Sequence, residues 1–360
     1  MRRTLYLAHL YLGLSVGLLV VLVGLTGIAV VYRPEIERLL NPEWFRVQPN
    51  SETRPLDDLI ANAVATYPYG KPTFVSIQPP LAPDESAMVV MKNRFGAGSG
   101  PWVRAHLDPY SGAAIASFIP EETFSGFLFQ LHTSLLVGEH SWGEQLVGTF
   151  GILLFFFCLT GVILWWPGLG RLRHVFKVRA ARGAVILNYD LHRVIGIIFI
   201  IPLLLVALTG VVLVFPRYTK APIVKAFGIK PPPKAPQTSG GTSHISLERL
   251  RSLIARDYPA ARLMGITVPG KPKDAYQVRL LLPGDSKIRY GGGAKLAVWI
   301  NPATGEILKE HDARSMPARP GNPRAAFSAS ASSIQTAMMQ PSCAPFSRRM
   351  RVSLRVSISA

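Results

Sequence analysis

Cysteine is scarce in this chain of 360 residues, which has only Cys158 and Cys343. The first lies within an apolar run and the second near the C-terminus, so the sequence disfavours a structural disulfide and excludes a cysteine metal site. Charge is scarce as well, since 17% of the residues are charged and 49% are hydrophobic, with a mean hydropathy of +0.26. These values are typical of a membrane protein that also carries sizeable polar domains.

Several functional motifs are also missing. The sequence has no Glu-x-x-His or His-x-x-x-His pair, which argues against a zinc hydrolase or a di-iron site. No Gly-x-Gly-x-x-Gly or P-loop pattern follows a strand, so no flavin or nicotinamide domain is predicted. The 21 acidic residues are outnumbered by 39 basic ones, and the net charge is +18. Because much of this charge lies beside apolar runs and in the C-terminal tail, we expect no nucleic-acid partner.

Three apolar runs are long enough to cross a bilayer, at about Leu5–Tyr32, Leu146–Trp166 and Leu191–Phe215. The first follows a basic start, but it is too long for a signal peptide and lacks a small-residue cleavage site. We therefore expect it to be a retained transmembrane helix. Trp142 and the Trp165-Trp166 pair flank the second run, as expected for aromatic residues at the two membrane interfaces.

The charges of the short loops predict the orientation. The first run is preceded by Arg2 and Arg3, and the basic loop Arg171–Arg182 separates the second run from the third. The positive-inside rule places both in the cytoplasm, so that residues 33–145 and those from 217 onward face outward. We expect the loop to bind anionic lipid, although it could instead dock a cytoplasmic electron donor.

The two outward segments resemble each other at a spacing of 191 residues. In both, an amphipathic helical pattern ends in Tyr-Pro, at Tyr67 and Tyr258, and strand-like runs follow. Asp108-Pro109-Tyr110-Ser111-Gly112 in the first copy then corresponds to Asn301-Pro302-Ala303-Thr304-Gly305 in the second, and both predict a turn before a last strand. Each copy is therefore predicted to be a small α+β unit within an internal repeat.

Two histidines recur at the same place in the first and third apolar runs. His9 lies 17 positions before Thr26, and His192 lies 17 positions before Thr209, each Thr being part of a Leu-Thr-Gly step. Histidine in a membrane span is costly and is usually functional, and two neutral imidazoles can bind one haem iron axially. The alternative is a structural role, in which each neutral ring bonds to a neighbouring carbonyl or extends to the membrane interface.

His132, in an apolar run before the second span, is a further candidate ligand. The repeat predicts a partner histidine near position 325 and a fourth span, but residues 318–360 contain neither. We hypothesise that this tail is a frame-shifted or truncated C-terminus. A second haem site on the outer side of the membrane would then have His132 as its single ligand.

The chain resembles the PepSY-associated transmembrane proteins, a family of iron-regulated inner-membrane proteins. The resemblance rests on motifs whose order and spacing are specific, and it covers roughly residues 1–312. These motifs are His9 with Leu12-Gly13, the Tyr32-Arg33-Pro34-Glu35 exit, Leu131-His132, Leu164-Trp165-Trp166, Leu191-His192 with Gly196, and the three Leu-Thr-Gly steps at Thr26, Thr160 and Thr209. It implies haem b between four core spans, with His9 and His192 at the inner haem and His132 at an outer one.

The resemblance also implies the reduction of ferric siderophores in the bacterial periplasm. The expected fold class is an α-helical membrane protein with two small α+β, PepSY-like periplasmic units and three transmembrane helices. The expected partners are a ferric siderophore or other ferric chelate, an unidentified cytoplasmic or membrane electron donor, and the lipid bilayer of the inner membrane. The alternatives are a non-enzymatic membrane protein that binds or regulates a partner, and a haem b carrier that reduces another protein.

The predicted division of the chain follows from these assignments. It comprises transmembrane helix 1 (1–34), unit 1 (35–123), an outer amphipathic segment with transmembrane helix 2 (124–166), the basic cytoplasmic loop (167–190), transmembrane helix 3 (191–216), unit 2 (217–314) and an aberrant, disordered tail (315–360).

Overall fold

The structure is a computed structural model that describes residues 2–67, 72–95, 98–138, 142–168, 170, 176–228, 235–238, 244–285 and 296–312. The predicted tail at 315–360 lies outside the described residues. The helices are α1 (Arg2–Val31), α2 (Arg33–Leu40), α3 (Pro42–Phe45), α4 (Leu56–Thr66), α5 (Phe124–Ser134), α6 (Trp142–Trp165), α7 (Ala184–Ile198), α8 (Ile200–Val214), α9 (Pro216–Phe227) and α10 (Leu247–Asp257). The strands are β1 (Thr73–Gln78), β2 (Ala87–Phe95), β3 (Gly98–Leu107), β4 (Ala114–Phe118), β5 (Arg262–Thr267), β6 (Tyr276–Leu281), β7 (Leu296–Ile300) and β8 (Ile307–Asp312).

Among the described residues, α1 and α6 are each long and apolar enough to cross a membrane, and α7 with α8 makes a third candidate span. Their outer faces carry exposed apolar side chains such as Leu18 at 77% and Leu213 at 79%. In a membrane these side chains contact lipid instead of water, so their exposure carries no energetic penalty. α6 packs against both α1 and α8 and is the central helix of the group.

The third span is not the single helix predicted at 191–216. It begins earlier, at Ala184, and its two halves α7 and α8 are bent by 66° at Phe199. Pro202 explains the break, because it has no N–H to donate to the Ile198 carbonyl and its ring clashes with that group. Regular bonding resumes where Leu203 N donates to Phe199 O at 3.0 Å.

The two α+β copies form one antiparallel sheet of eight strands, in the order β4-β3-β2-β1-β5-β6-β7-β8. The prediction of two α+β units is thus refined, because β1 and β5 join the copies edge to edge. At this seam Ser76 pairs with Thr267 and Ile77 with Ile266. Ser76 and Thr267 are equivalent positions of the repeat, so a pseudo-twofold axis passes between them. Pairing of the two edges leaves neither strand open for association with another chain.

The core lies between this sheet and α4 with α10. In β2 and β3 the side chains that enter the core recur at every second residue, as the two-residue period of a strand requires. On the other face, Met88 and His106 are buried as well. Fully burying one aliphatic side chain is worth about 1.5–3 kcal/mol, so the shared core is a major stabilising contribution. Its fully buried members include Leu59, Ile77, Val89, Met91, Val103, Leu107, Leu250, Ile266, Val278, Leu280 and Val298.

The predicted turns have the same geometry in both copies. Gly112 N donates to Asp108 O and Gly305 N donates to Asn301 O, both at 2.9 Å. The two glycines have φ of 79° and 77°, in the left-handed region that a side chain disfavours. Each turn is held against the segment before its helix, where Arg54 N donates to Pro109 O and Ile245 N to Pro302 O.

The two helices of the core cap each other across the seam. Both carboxylate oxygens of Asp57 accept from the first turn of α10, at Leu247 N (3.0 Å) and Glu248 N (3.1 Å). Glu248 in turn accepts from Leu56 N at the start of α4, at 3.3 Å. A carboxylate at a helix N-terminus satisfies free N–H groups and complements the helix dipole. Asp57 and Glu248 occupy equivalent positions of the repeat.

We expect Asp57→Ala to weaken the joint between the two copies by about 1 kcal/mol, the usual cost of losing a helix cap. The expected result is faster hydrogen exchange in the first turn of α10 and a lower midpoint of thermal unfolding. Asp58→Ala is the matched control, since Asp58 lies in the same turn of α4 but is exposed. Equal exchange in the two variants would contradict the reciprocal capping.

Candidate functional site

The structure brings two of the predicted site residues together. His9 on α1 and His192 on α7 have ring centroids 6.3 Å apart, with their planes inclined at 67°. His9 is half-buried, whereas His192 is exposed on the described surface. The edge of the Phe157 ring lies against His9, with centroids 5.7 Å apart. Two helices far apart in the sequence therefore meet through their imidazoles.

The separation of these rings can be compared with that of two imidazoles on one metal ion. A metal–imidazole bond is about 2 Å long, and the ring centre lies about 1 Å beyond the nitrogen, so opposed rings have centroids roughly 6 Å apart. The observed 6.3 Å matches this value. Among the described residues, no group of three or more His, Cys, Asp or Glu could hold a metal ion.

His9 is held from α6 by Thr160, the threonine of a Leu-Thr-Gly step for which the sequence predicted no role. In this contact His9 is bonded through one ring nitrogen. Its Nδ1 lies 2.8 Å from Thr160 Oγ1, and this hydroxyl also lies 2.9 Å from the Phe156 carbonyl one turn earlier. Gly161 follows directly, and a Cβ added there would lie 3.7 Å from His9 Cε1. The threefold occurrence of Leu-Thr-Gly was the signal that could have identified Thr160.

His132 on α5 is held in a similar way from α1. Its Nδ1 lies 2.9 Å from the Val23 carbonyl and 3.3 Å from Thr26 Oγ1. A Cβ added to Gly27 would lie only 2.9 Å from His132 Cε1, so the ring rests on this glycine. Among the ring contacts of the described residues, none brings a second histidine to His132. Within the part of the chain that the structure describes, the predicted outer position has one imidazole.

The glycines of α1 differ in what surrounds them. Gly27 lies under His132, but Cβ atoms added to Gly13, Gly17 or Gly24 would meet no atom within 4 Å. These three consequently do not mediate close helix packing in the described part of the chain.

Asp190 is a further residue of the site that the sequence did not single out. Its carboxylate is fully buried and receives two bonds of 2.8 Å from the Arg179 guanidinium, with a third of 3.0 Å from Arg179 N. Arg193 lies 3.5 Å from the same carboxylate. This bidentate geometry is the strong form of the ion pair. It fixes the end of the basic loop to α7, two residues before His192.

Comparison with known proteins identifies the family. The model of the PepSY-associated TM region matches residues 6–269, which is most of the chain. The chain belongs to this family. It is a membrane protein with two or three candidate spans. It is also 34% identical over 136 residues to the uncharacterized protein PA4219 of Pseudomonas aeruginosa, a match that covers 34% of this chain and 33% of that protein.

In this PepSY-associated protein, the exit of α1 is fastened to the start of α5. Arg33 donates through Nε to Ser125 Oγ and through Nη2 to Pro120 O, both at 3.2 Å, and its guanidinium lies over the Phe129 ring. The hydroxyl of Ser125 donates to the Glu37 carboxylate, which is buried. These contacts set the position of α5, and hence of His132, relative to α1.

Another histidine of this PepSY-associated chain, which is buried, packs in the sheet domain. His106 Nδ1 lies 2.9 Å from Ser86 Oγ, and its ring packs edge-on to Phe45 and parallel to Phe118. It borders a cavity of about 280 Å³ between α2, α3 and the sheet, which is smaller than most small-molecule sites. His106 is thus part of the packing, and the cavity identifies no substrate residue.

Proposed function

We propose that the protein binds haem b between His9 and His192 and passes electrons through the membrane to a ferric chelate of the siderophore class. One observation supports this above all: imidazoles from two separate helices lie with centroids 6.3 Å apart, so that both could hold one haem iron. His132 would bind a second haem on the other side of the membrane. The resemblance described from the sequence implies an iron-linked role.

The residues present fit the cofactor. Both rings are imidazoles, the usual axial ligands of b-type haem, and His9 has its Nδ1 engaged by Thr160, so that Nε2 remains for the metal. When bound, haem b supplies one-electron redox chemistry through its iron. The chain's own part is to orient the rings, to hold α7 in place through Asp190 and Arg179, and to keep water away with apolar helices.

The proposed direction of transfer rests on charge. Arg2, Arg3 and the basic loop would lie on the cytoplasmic side, where an electron donor from the cytoplasm or the membrane would deliver electrons. The sheet domain would then lie in the periplasm and shape access for the ferric chelate. One electron converts Fe(III) to Fe(II), which weakens binding by hard oxygen ligands and releases the metal.

A reduced-minus-oxidised spectrum of the purified full-length protein, expressed with ample haem, tests the proposal. We expect the absorption bands of a b-type cytochrome, and reoxidation of the reduced protein by a ferric hydroxamate or catecholate. Absence of the bands would contradict haem binding and favour the alternative of a non-enzymatic, partner-binding protein. Bands without reoxidation by ferric chelates would favour a carrier that reduces another protein.

A further inference from the structure

The Leu-Thr-Gly steps have the same construction in α1 and α6. Each threonine hydroxyl lies 2.9 Å from the carbonyl four residues earlier, Leu22 O for Thr26 and Phe156 O for Thr160. Each hydroxyl also faces Nδ1 of a histidine on another helix, and the glycine that follows lies beside the Cε1 of that histidine. In α1 and in α6, the same three-residue step thus contacts a histidine of another helix.

At His132, the chemistry of the partners fixes the position of the ring proton. The Val23 carbonyl, 2.9 Å from Nδ1, can only accept a hydrogen bond. Nδ1 must therefore carry the proton and donate it. A neutral imidazole has one N–H, so Nε2 is left with a lone pair.

At His9, the same conclusion follows from the threonine. A hydroxyl has one proton, and in a helix Thr gives it to the carbonyl one turn earlier, here Phe156 O. The oxygen of Thr160 then accepts from His9 Nδ1 at 2.8 Å. With the proton on Nε2 instead, Thr160 would have to donate its one proton to Nδ1 and give up its bond to the Phe156 carbonyl.

We propose that Thr160 is the positioning residue of His9, and that Thr26 with the Val23 carbonyl positions His132. Each holds its imidazole with the proton on Nδ1, so that Nε2 is free to bind haem iron. This inference rests on the proposed function for the identity of the ligand, but the tautomer itself does not depend on haem. The third step, at Thr209, is an internal control, because its hydroxyl bonds to Leu205 O at 2.8 Å and meets no described imidazole.

The first readout is the protonation of each ring in haem-free protein. Full-length protein labelled with ¹⁵N-histidine is purified from haem-deficient cells, and two-dimensional NMR assigns the protonated nitrogen of His9 and His132. We expect Nδ1–H for both in the wild type. Thr160→Val, which keeps the shape of the side chain, should mix the tautomers of His9 and leave His132 unchanged. Thr160→Ser should restore the wild-type signal, and Thr209→Val should change neither ring.

The second readout is haem titration of the same samples. Loss of a group that orients a metal-binding histidine typically lowers affinity by about 10–100-fold, and we expect Thr160→Val to show a loss of this size. Thr209→Val should bind haem as the wild type does. If His9 carries its proton on Nε2, or if Thr160→Val leaves its tautomer unchanged, the positioning role is overturned even where haem binds. If both rings are Nδ1–H but haem does not bind, the positioning stands and the proposed function fails.

Discussion

Full-length protein carrying His192→Ala is expected to lose most of the haem b bound at the His9–His192 site, and His9→Ala is expected to do the same. The ring centroids are 6.3 Å apart, so removal of either side chain would leave one imidazole to hold the haem. Since even the loss of supporting groups around a metal site costs about 10–100-fold in affinity, loss of a ligand should cost roughly 100-fold or more. The measurement is haem stoichiometry together with the reduced-minus-oxidised spectrum.

His244→Ala is the matched control, because His244 is exposed and packs only its ring edge toward Tyr276. It should retain the full haem content. The double variant His9→Ala, His192→Ala should lose no more haem at this site than either single variant, because the two ligands act as one unit. Full haem content in His192→Ala would reassign the ligand, and a loss in His9→Ala alone would point to a different partner for His9.

The internal repeat is the part of the fold that the sequence predicts best. Leu56 and Leu247 begin equivalent helices, and the Asp-Pro and Asn-Pro turns have equivalent geometry, because local patterning determines both. The joining of the copies into one sheet could not be predicted in this way. It depends on the pairing of two strand edges, β1 and β5, and an edge carries no local signature of its partner.

The bend in the third span had a signal in the sequence that hydropathy conceals. Pro202 lies inside an apolar run, and such a residue breaks helical hydrogen bonding wherever it occurs away from the first turn. Hydropathy averaged over a sequence window does not detect that effect, so it predicts one continuous helix for this run. The start of α7 at Ala184 has no clear signal for a similar reason, because Asp190 interrupts the apolar run. The buried pairing of Asp190 with Arg179 keeps that charge in the helix.

For the site, the repeat predicted the equivalence of His9 and His192, and the structure adds their proximity. The contact between His132 and the Val23 carbonyl had no signal, because a backbone acceptor has no residue identity. Thr160 had one, the recurrence of Leu-Thr-Gly, but its meaning depends on which helices are neighbours. Spacing within a helix is local, whereas α6 meets α1 only through tertiary packing.

Gly126→Ala is expected to be the most destabilising single-methyl change in the helix that carries His132. A Cβ at this position would lie 2.0 Å from the Pro120 carbonyl oxygen and 2.8 Å from backbone atoms of Glu121. Backbone cannot give way as a side-chain end can, so α5 must move away from the turn before it. Overpacking of this kind costs about 1–3 kcal/mol, occasionally more.

The movement should also release the contacts that hold α5. Thr123 caps the helix by accepting from Gly126 N at 3.1 Å, and Arg33 Nη2 donates to the same Pro120 carbonyl at 3.2 Å. We expect a midpoint of thermal unfolding several degrees lower than that of the wild type, and faster hydrogen exchange at His132. Gly24→Ala, which would meet no atom within 4 Å, should be neutral or slightly stabilising because alanine favours a helix. A Gly126→Ala protein as stable as Gly24→Ala would show that α5 does not pack against the Pro120 turn. The position of His132 would then depend on its contacts with α1 alone.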